Sequence, residues 1–331
     1  VEVTFLRRHG PGLSAAAVLA TAATFAGTVW PVLGVPVLAL AGGAIFGVFA
    51  RRARDERFAP GLASAQQRLL GAAIVLLGLG LPVGAVVSVG RSTMIVVVGT
   101  LIIGAVAALL AGRLLALDRE SAILVAVGTT ICGASAIAAA TAVIKPDRER
   151  VAYALGTIFV FNVVAVLVYP PLGHLLGMSQ EAFGLWAGTA INDTSSVLAA
   201  GVAFGSGAAQ FAVVVKLVRS LAIIPMCVGL HLGARHNAGA AAPLWRSIPL
   251  FVVLFLAASA LAATGVVPPS WSPPLSHLSA WLIAAVLAAI GTTLTSQRLR
   301  TAGYRPLLFG GILAFALGAS SLALQFATGW R

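Results

Sequence analysis

The sequence has little charge, few acids and almost no cysteine. Asp, Glu, Lys and Arg make up 9% of its 331 residues, against about 25% in ordinary soluble domains. With 60% apolar residues, too little polar surface remains to cover a water-soluble globule. The two cysteines, Cys132 and Cys227, lie inside apolar runs, so no disulfide framework is indicated. No His/Cys/Asp cluster has metal-ligand spacing, and neither a Walker nor a Rossmann glycine pattern occurs. The chain therefore gives no sign of a cofactor, a metal centre or ATP-driven transport in cis. The five histidines (His9, His174, His231, His236, His277) fall at span ends or in loops. With no nucleophile–base pair in view, a membrane enzyme is the least favoured class. The ten-residue alternation of a transmembrane barrel is missing. A net charge of +12 invites nucleic acid, but the bases sit in short loops without aromatic interleaving, which excludes that partner.

What the chain does have is apolar runs of about 20 residues, the length that crosses the hydrocarbon slab of a lipid bilayer as an α-helix. Lipid offers no hydrogen bonds, so backbone groups must pair internally and the spans must be helical. The fold class is all-α, polytopic, with about eleven transmembrane helices in one transmembrane domain over residues 1–331. The pattern places them near 12–30, 33–50, 67–88, 92–115, 120–144, 150–172, 181–204, 208–233, 246–266, 277–297 and 304–328. Arg7 and Arg8 before an apolar stretch loosely resemble a signal peptide, but that stretch reads as the first span. Trp30-Pro31, Lys145-Pro146, Pro170-Pro171 and the segment from Pro268 to Pro274 mark joins.

Counting with the N-terminus inside puts fourteen Lys and Arg residues on the cytoplasmic side and five outside, which favours that orientation in a bacterial inner membrane. One loop disobeys. Lys145, Arg148 and Arg150 fall outside, so either the violation is tolerated or the count near the fifth span is off by one crossing.

Weak internal similarity is present. Ala41-Gly-Gly-Ala-Ile45 matches Ala187-Gly-Thr-Ala-Ile191, and Gly128-Thr-Thr130 matches Gly291-Thr-Thr293. Both pair a helix with the one five spans later, which suits inverted repeats. A longer match joins spans five and seven: Gly128-Thr-x-Ile131-x-x-x-Ser135 with Gly188-Thr-x-Ile191-x-x-x-Ser195, then Ala139/Ala199 and Ala140/Ala200. It does not fit a five-helix repeat and implies that both helices need small polar residues at similar depth.

Of nine acids, only Asp193 lies well inside an apolar run, followed by Thr194, Ser195 and Ser196 and preceded by Asn192. A mid-membrane carboxylate costs about 2.5–3.5 kcal/mol even on the lenient insertion scale, so it marks an ion, proton or substrate site, or else a structural clamp. Lys216 and Arg219 in span eight share a helical face. They could pair with Asp193, bind an anion, or snorkel to an interface. Span five offers Thr129, Thr130, Cys132, Gly133 and Ser135, the composition of an interrupted helix whose second half could aim its dipole at an anion. Span ten offers Thr292, Thr293 and Thr295 as counterparts. Ordinary close packing of small residues is the alternative for both.

The string Gly128-Thr-Thr-Ile-Cys-Gly-Ala-Ser-Ala-Ile-Ala-Ala139, with Val143-Ile-Lys145, Phe183-Gly-Leu-Trp-Ala-Gly188, Val197-Leu-Ala-Ala-Gly201 and Val215-Lys-Leu-Val-Arg219, resembles the YeiH-type sulfate exporter family. The likeness runs from Pro36 to Pro306. It implies kinship with the class of bile-acid symporters and sodium/proton antiporters. That architecture has inverted five-helix repeats with crossing discontinuous helices, here 33–172 and 181–328 after an extra helix at 12–30. Spans five and ten would then cross at the midplane. The chain departs from the family at Asn192-Asp193-Thr-Ser-Ser196, where the family usually carries His-Asp-Val-Ala-Gln. The acid is kept but the histidine and glutamine are not, which puts in doubt a proton relay through that histidine and a shared substrate.

The expectation is a secondary transporter exporting a small sulfate-, sulfite- or sulfonate-like anion. Asp193 would take the coupling proton or cation. Asn192 and the polar residues of spans five and ten would hold the anion, and Lys216 or Arg219 would neutralise Asp193 in one state. A homodimer is one option for its assembly. The alternatives are a cation/proton antiporter with Asp193 as ion site, and a non-transporting membrane scaffold or receptor.

Overall fold

The computed structural model describes residues 2–29, 34–52, 56–80, 83–233, 250–292 and 304–330, which are helical with no strand among them. Six of the described helices are long and apolar enough to cross a membrane, and four shorter apolar helices accompany them. The all-α polytopic fold stands. Apolar side chains facing outward are the norm: Phe25, Ile95, Leu109, Phe315 and Phe326 are all more than 60% exposed. On one helix Ile95, Val98, Ile102, Val106 and Leu109 form an exposed stripe at three- and four-residue spacing while Val96, Val97, Thr100 and Gly104 are buried. Lipid is the solvent that such a surface fits.

Contacts divide the chain into two compact units, residues 1–85 with 254–295 and residues 86–253 with 296–331. In the first unit are α1 (Glu2–Val29), α2 (Gly34–Arg52), α3 (Ala59–Ser64), a π turn (Ala65–Leu69), α4 (Leu70–Leu79) and α14 (Ser272–Gly291). A Cβ on Gly43 or Gly291 would strike the backbone of the facing helix, so α2 and α14 touch main chain to main chain as small residues permit in lipid. The Ala41–Ile45 and Gly291 motifs thus serve close packing here. Gln66 Nε2 donates to Ala289 O at 2.9 Å, and Ser279 Oγ to Ala73 O at 3.0 Å. Near the expected interfacial loop, a short turn spans Pro269–Trp271, with Trp271 exposed.

The third and fourth spans are divided differently from the expectation. The third ends at Leu79 and Gly80, and α5 runs unbroken from Val83 to Leu114. Apolar residues continue on both sides of Leu81-Pro82, so hydropathy alone could not place that boundary.

The second unit holds α5, α6 (Arg119–Val127), a π turn (Gly128–Cys132), α7 (Ala134–Ile144), α8 (Arg148–Leu175), α9 (Gln180–Ala190), α10 (Thr194–Phe204), α11 (Ser206–Ser220), α12 (Ile223–Gly233) and α15 (Tyr304–Ala327). Helix α13 (Leu250–Ala263) straddles the division, as do the first three residues of α5. The prolines at 170 and 171 lie inside α8 near its C-terminal end, where each leaves the carbonyl four residues before it without its usual main-chain donor.

Helix α8, 28 residues long or about 42 Å at 1.5 Å per residue, works as a ruler for its neighbours. Near its start, Arg150 reaches Asp118 and Glu120 at the beginning of α6, both at 3.0 Å, as well as Asp147. Residue 118 and residue 150 therefore share one end, although 119–144 lies between them. At α8's other end, His174 stacks on Phe204 at the end of α10, and Phe204 stacks on Phe183 near the start of α9. Gln180 Oε1 accepts from Ala208 N at 3.0 Å, so the first residue of α9 lies beside the first turn of α11, which follows α10 after a single residue. Halfway along α8, Asn162 Oδ1 accepts from Asp193 N at 3.1 Å. A Cβ on Gly133 would sit 3.2 Å from the Cα of Asp193.

These contacts fix the path. Residues 119–144 and 180–204 do not cross; each goes in, turns and returns to its own end. They enter from opposite ends of α8, and their tips meet at its middle. This corrects the eleven-crossing count at the fifth and seventh spans. It also places the loop with Lys145 at the same end as Arg113 and Arg119. The limbs α7, α9 and α10 are each 11 residues, about 16 Å, or half the slab.

Candidate functional site

The hairpin tips carry the residues singled out from the sequence, and the match between spans five and seven explains their equivalence. Its register pairs Gly128 with Gly188, Ile131 with Ile191, Gly133 with Asp193 and Ser135 with Ser195. In both hairpins the break falls at the same motif position. Helix α7 starts after Gly133 and α10 after Asp193. The first limb ends in a π turn and a glycine at φ +71°, ψ −132°, a conformation that L side chains rarely adopt. The second limb ends in extended backbone at Ile191. Similar depth is thus real, but its cause is a repeated hairpin rather than two crossing helices.

Asp193 is the N-cap of α10. Its Oδ2 accepts from Ser195 N at 3.0 Å and also from the Ser195 hydroxyl, and a carboxylate there is favoured by both the open N–H groups and the helix dipole. It is partly exposed, whereas Asn192 and Thr194 beside it are buried. At the equivalent place, Gly133 offers no side chain, and α7 has no side-chain cap.

Lys216 and Arg219, one turn apart on α11, are both fully buried at 0% exposure, which rules out snorkelling. Lys216 Nζ donates to Ile131 O and to Ile191 O, each at 2.8 Å. These are the equivalent carbonyls where the first limbs of the two hairpins end. Each such helix end carries about half a negative charge, so one ammonium offsets both. The expected pairing with Asp193 is absent: among the described residues no ion pair joins Asp193 to Lys216 or Arg219. Backbone carbonyls take that place. Arg219 Nη2 makes a long bond of 3.4 Å to Thr129 O, and its Nε and Nη1 have no partner. Thr129 Oγ1 and Asn192 Oδ1 are likewise buried without a partner.

The remaining candidates sort by position. The Thr130 hydroxyl is taken up by Ala126 O at 2.7 Å in its own helix. Cys132 is buried at the break, and Ser135 is half-buried in the first turn of α7. Thr292 ends α14 in the first unit and donates to Ala289 O at 2.7 Å. Thr293 and Thr295 lie outside the described residues, so the break expected in span ten falls there too. Three participants were missed from sequence: Asn162 and the carbonyls of Ile131 and Ile191. A lone amide midway along an apolar helix was a readable signal for Asn162, but a main-chain carbonyl leaves none. Beyond the tip, Thr189 and Ser321 share a 2.6 Å hydroxyl contact and Trp186 Nε1 donates to Gly318 O at 3.0 Å, which fastens α9 to α15.

The charges at the tips leave a positive balance. Lys216 covers the two negative limb ends, Asp193 covers the N-terminus of α10, and the N-terminus of α7 and the unfilled guanidinium of Arg219 remain. Such a place suits an anion.

Residues 11–310 match the family described as conserved hypothetical protein 698. The chain is 37% identical to the UPF0324 membrane protein spr0034 of Streptococcus pneumoniae, covering 98% of both chains. It is 36% identical to SpyM3_0740 of Streptococcus pyogenes, a UPF0324 membrane protein, covering 98% of this chain and 99% of that one. A UPF0324 membrane protein of Clostridium tetani is 33% identical over 98% and 99%. No solved structure matches. By the extent of these matches, the chain belongs to the conserved hypothetical protein 698 family, that of the UPF0324 membrane proteins.

Proposed function

We propose that this chain is a secondary transporter exporting a small oxyanion of the sulfate, sulfite or organosulfonate kind, with Asp193 as the coupling site. The membrane is the bacterial inner membrane, with the N-terminus cytoplasmic. The observation that carries this reading is the meeting of two oppositely entering hairpins midway along α8, beside two fully buried cations. Discontinuous helices at the midplane are how transporters present helix ends to ions. Cations without a counter-carboxylate are costly in lipid and mark a use.

The geometry also supplies a reason for coupling. Asp193 lies against Gly133, so its negative charge opposes an anion held at the open end of α7. A proton or cation on Asp193 removes that opposition, and each ligand then favours the other by the same factor. In proteoliposomes, Asp193→Asn should reduce gradient-driven sulfite or sulfate flux by about tenfold or more, a barrier change of about 1.4 kcal/mol. Undiminished flux in that variant removes Asp193 from the coupling role.

A cation/proton antiporter is the second reading, favoured by the unpartnered Asn192 Oδ1 next to Asp193, two oxygen ligands on adjacent residues. Ligand-induced stabilisation separates the two, because only a ligand that binds the folded state raises its melting temperature. Sulfate or sulfite should stabilise the transporter proposed here; sodium alone would stabilise the antiporter. The scaffold reading expects Asp193 locked to Arg219, and no such pair joins them among the described residues.

A further inference from the structure

The two hairpins share a motif register but differ at the position where α7 and α10 begin, and that difference carries an inference which deepens, and rests on, the anion reading above. In the second hairpin the Asp193 carboxylate caps α10. In the first, Gly133 leaves α7 uncapped. Helix α7 is 11 residues long, enough for a full dipole, and its open N–H groups want an anionic acceptor.

A second observation is independent of the helix end. Arg219 is fully buried, its Nη2 rests on Thr129 O in the turn that leads into α7, and its Nε and Nη1 donate to nothing. The Thr129 hydroxyl of the same turn is buried and idle as well. Unfilled donors of a guanidinium are seldom left in a protein interior, because each costs its full desolvation. Lys216, one turn away, is by contrast committed to Ile131 O and Ile191 O.

We infer that the transported oxyanion takes, in the first hairpin, the place that the Asp193 carboxylate takes in the second: it caps α7, and Arg219 and the Thr129 hydroxyl bind its oxygens. Lys216 holds the two tips together and does not touch it. The ligand class is an anion with two or more oxygens on one centre, such as sulfite, sulfate or an alkylsulfonate. A guanidinium and a helix end together recognise that shape better than they recognise a spherical halide.

Calorimetric titration of the purified protein with sodium sulfite, sodium sulfate and sodium methanesulfonate, against sodium chloride, tests this. At least one of the three should bind the wild type, and chloride should bind more weakly. Arg219→Gln should lower the affinity about a hundredfold and Arg219→Lys restore part of it, while Thr129→Val should lower it about tenfold. Thr129→Val removes an idle buried hydroxyl without changing side-chain shape, so its ligand-free melting temperature should equal or exceed that of the wild type. This keeps the test sound if Arg219→Gln fails to fold. Wild-type binding with Thr129→Val within twofold of it overturns the inference and leaves the transport reading standing. A wild type that takes none of the three anions overturns both.

Discussion

Lys216 shows why a single residue can be visible in a sequence while its job is not. Its place in an apolar run was legible, as were Arg219 one turn later and Asp193 among small polar residues. Pairing with Asp193, binding an anion and snorkelling all stayed open. The structure gives Lys216 two carbonyls, Ile131 O and Ile191 O, at 2.8 Å each, and carbonyls are present at every position, so no residue type announces them. Removing the ammonium should therefore act on both tips at once. Lys216→Met should destabilise the protein by about 2–4 kcal/mol, the value of one or two charge-assisted hydrogen bonds and the desolvated carbonyls they leave. Thermal melting in detergent checks this. A melting temperature equal to that of the wild type would mean that the tips hold together without Lys216.

At the scale of the element, the two hairpins were half legible. The Gly-Thr-x-Ile-x-x-x-Ser match marked both tips, and Gly133 marked the first break. Re-entry itself was hidden because hydropathy reads length and apolarity but not direction. A hairpin of two 11-residue limbs has the same profile as a crossing of more than 20 residues. The telling signal was electrical: the basic loop at 145–150 violated the positive-inside rule, and re-entry of 119–144 removes the violation. The mouth of that hairpin is held by Arg150 against Asp118, Glu120 and Asp147. Burial works upward on the Asp118 carboxyl, but the Ser121 N–H and hydroxyl and the Arg150 guanidinium outweigh it and hold the group below its ordinary value. A carboxyl depressed in the folded state stabilises above its unfolded value, and that contribution is lost as pH falls through the folded one. The protection of amides in 119–127, taken relative to their intrinsic exchange rate at each pH, should thus fall below about pH 4. Because these groups are 35–49% exposed in the Arg150–Asp118 and Arg150–Glu120 pairs, Asp118→Asn should cost about 1 kcal/mol or less, and less still in high salt. Protection in 119–127 that ignores both pH and salt would contradict the ionic account of the mouth.

For the whole molecule, the apolar composition alone established a polytopic helical membrane protein, since no other solvent fits such a surface. The expected repeats, 33–172 and 181–328, divide the chain by sequence, whereas the compact units divide it by contact and each draws on both repeats. Residues 1–85 and 254–295 form one compact unit, and 86–253 with 296–331 the other. Contacts between residues far apart in sequence decide that grouping, and composition does not encode them. Re-entry moves Lys145, Arg148 and Arg150 to the side of Arg113 and Arg119, and the second hairpin restores the parity beyond it. The division of bases then becomes seventeen against two, which strengthens the orientation proposed with the N-terminus inside.

Two hairpins entering from opposite sides is the claim on which the tip site, the charge balance and the transport proposal all stand. Its direct measurement is side-specific thiol labelling in intact cells and inverted vesicles of the single variants Arg119→Cys, Lys145→Cys, Leu176→Cys and Ser206→Cys, since both native cysteines are buried. Re-entry predicts that 119 and 145 label from one side and 176 and 206 from the other. Labelling of 119 and 145 from opposite sides, or of 176 and 206 from opposite sides, would mean that the segment between them crosses the membrane, and the account would fail.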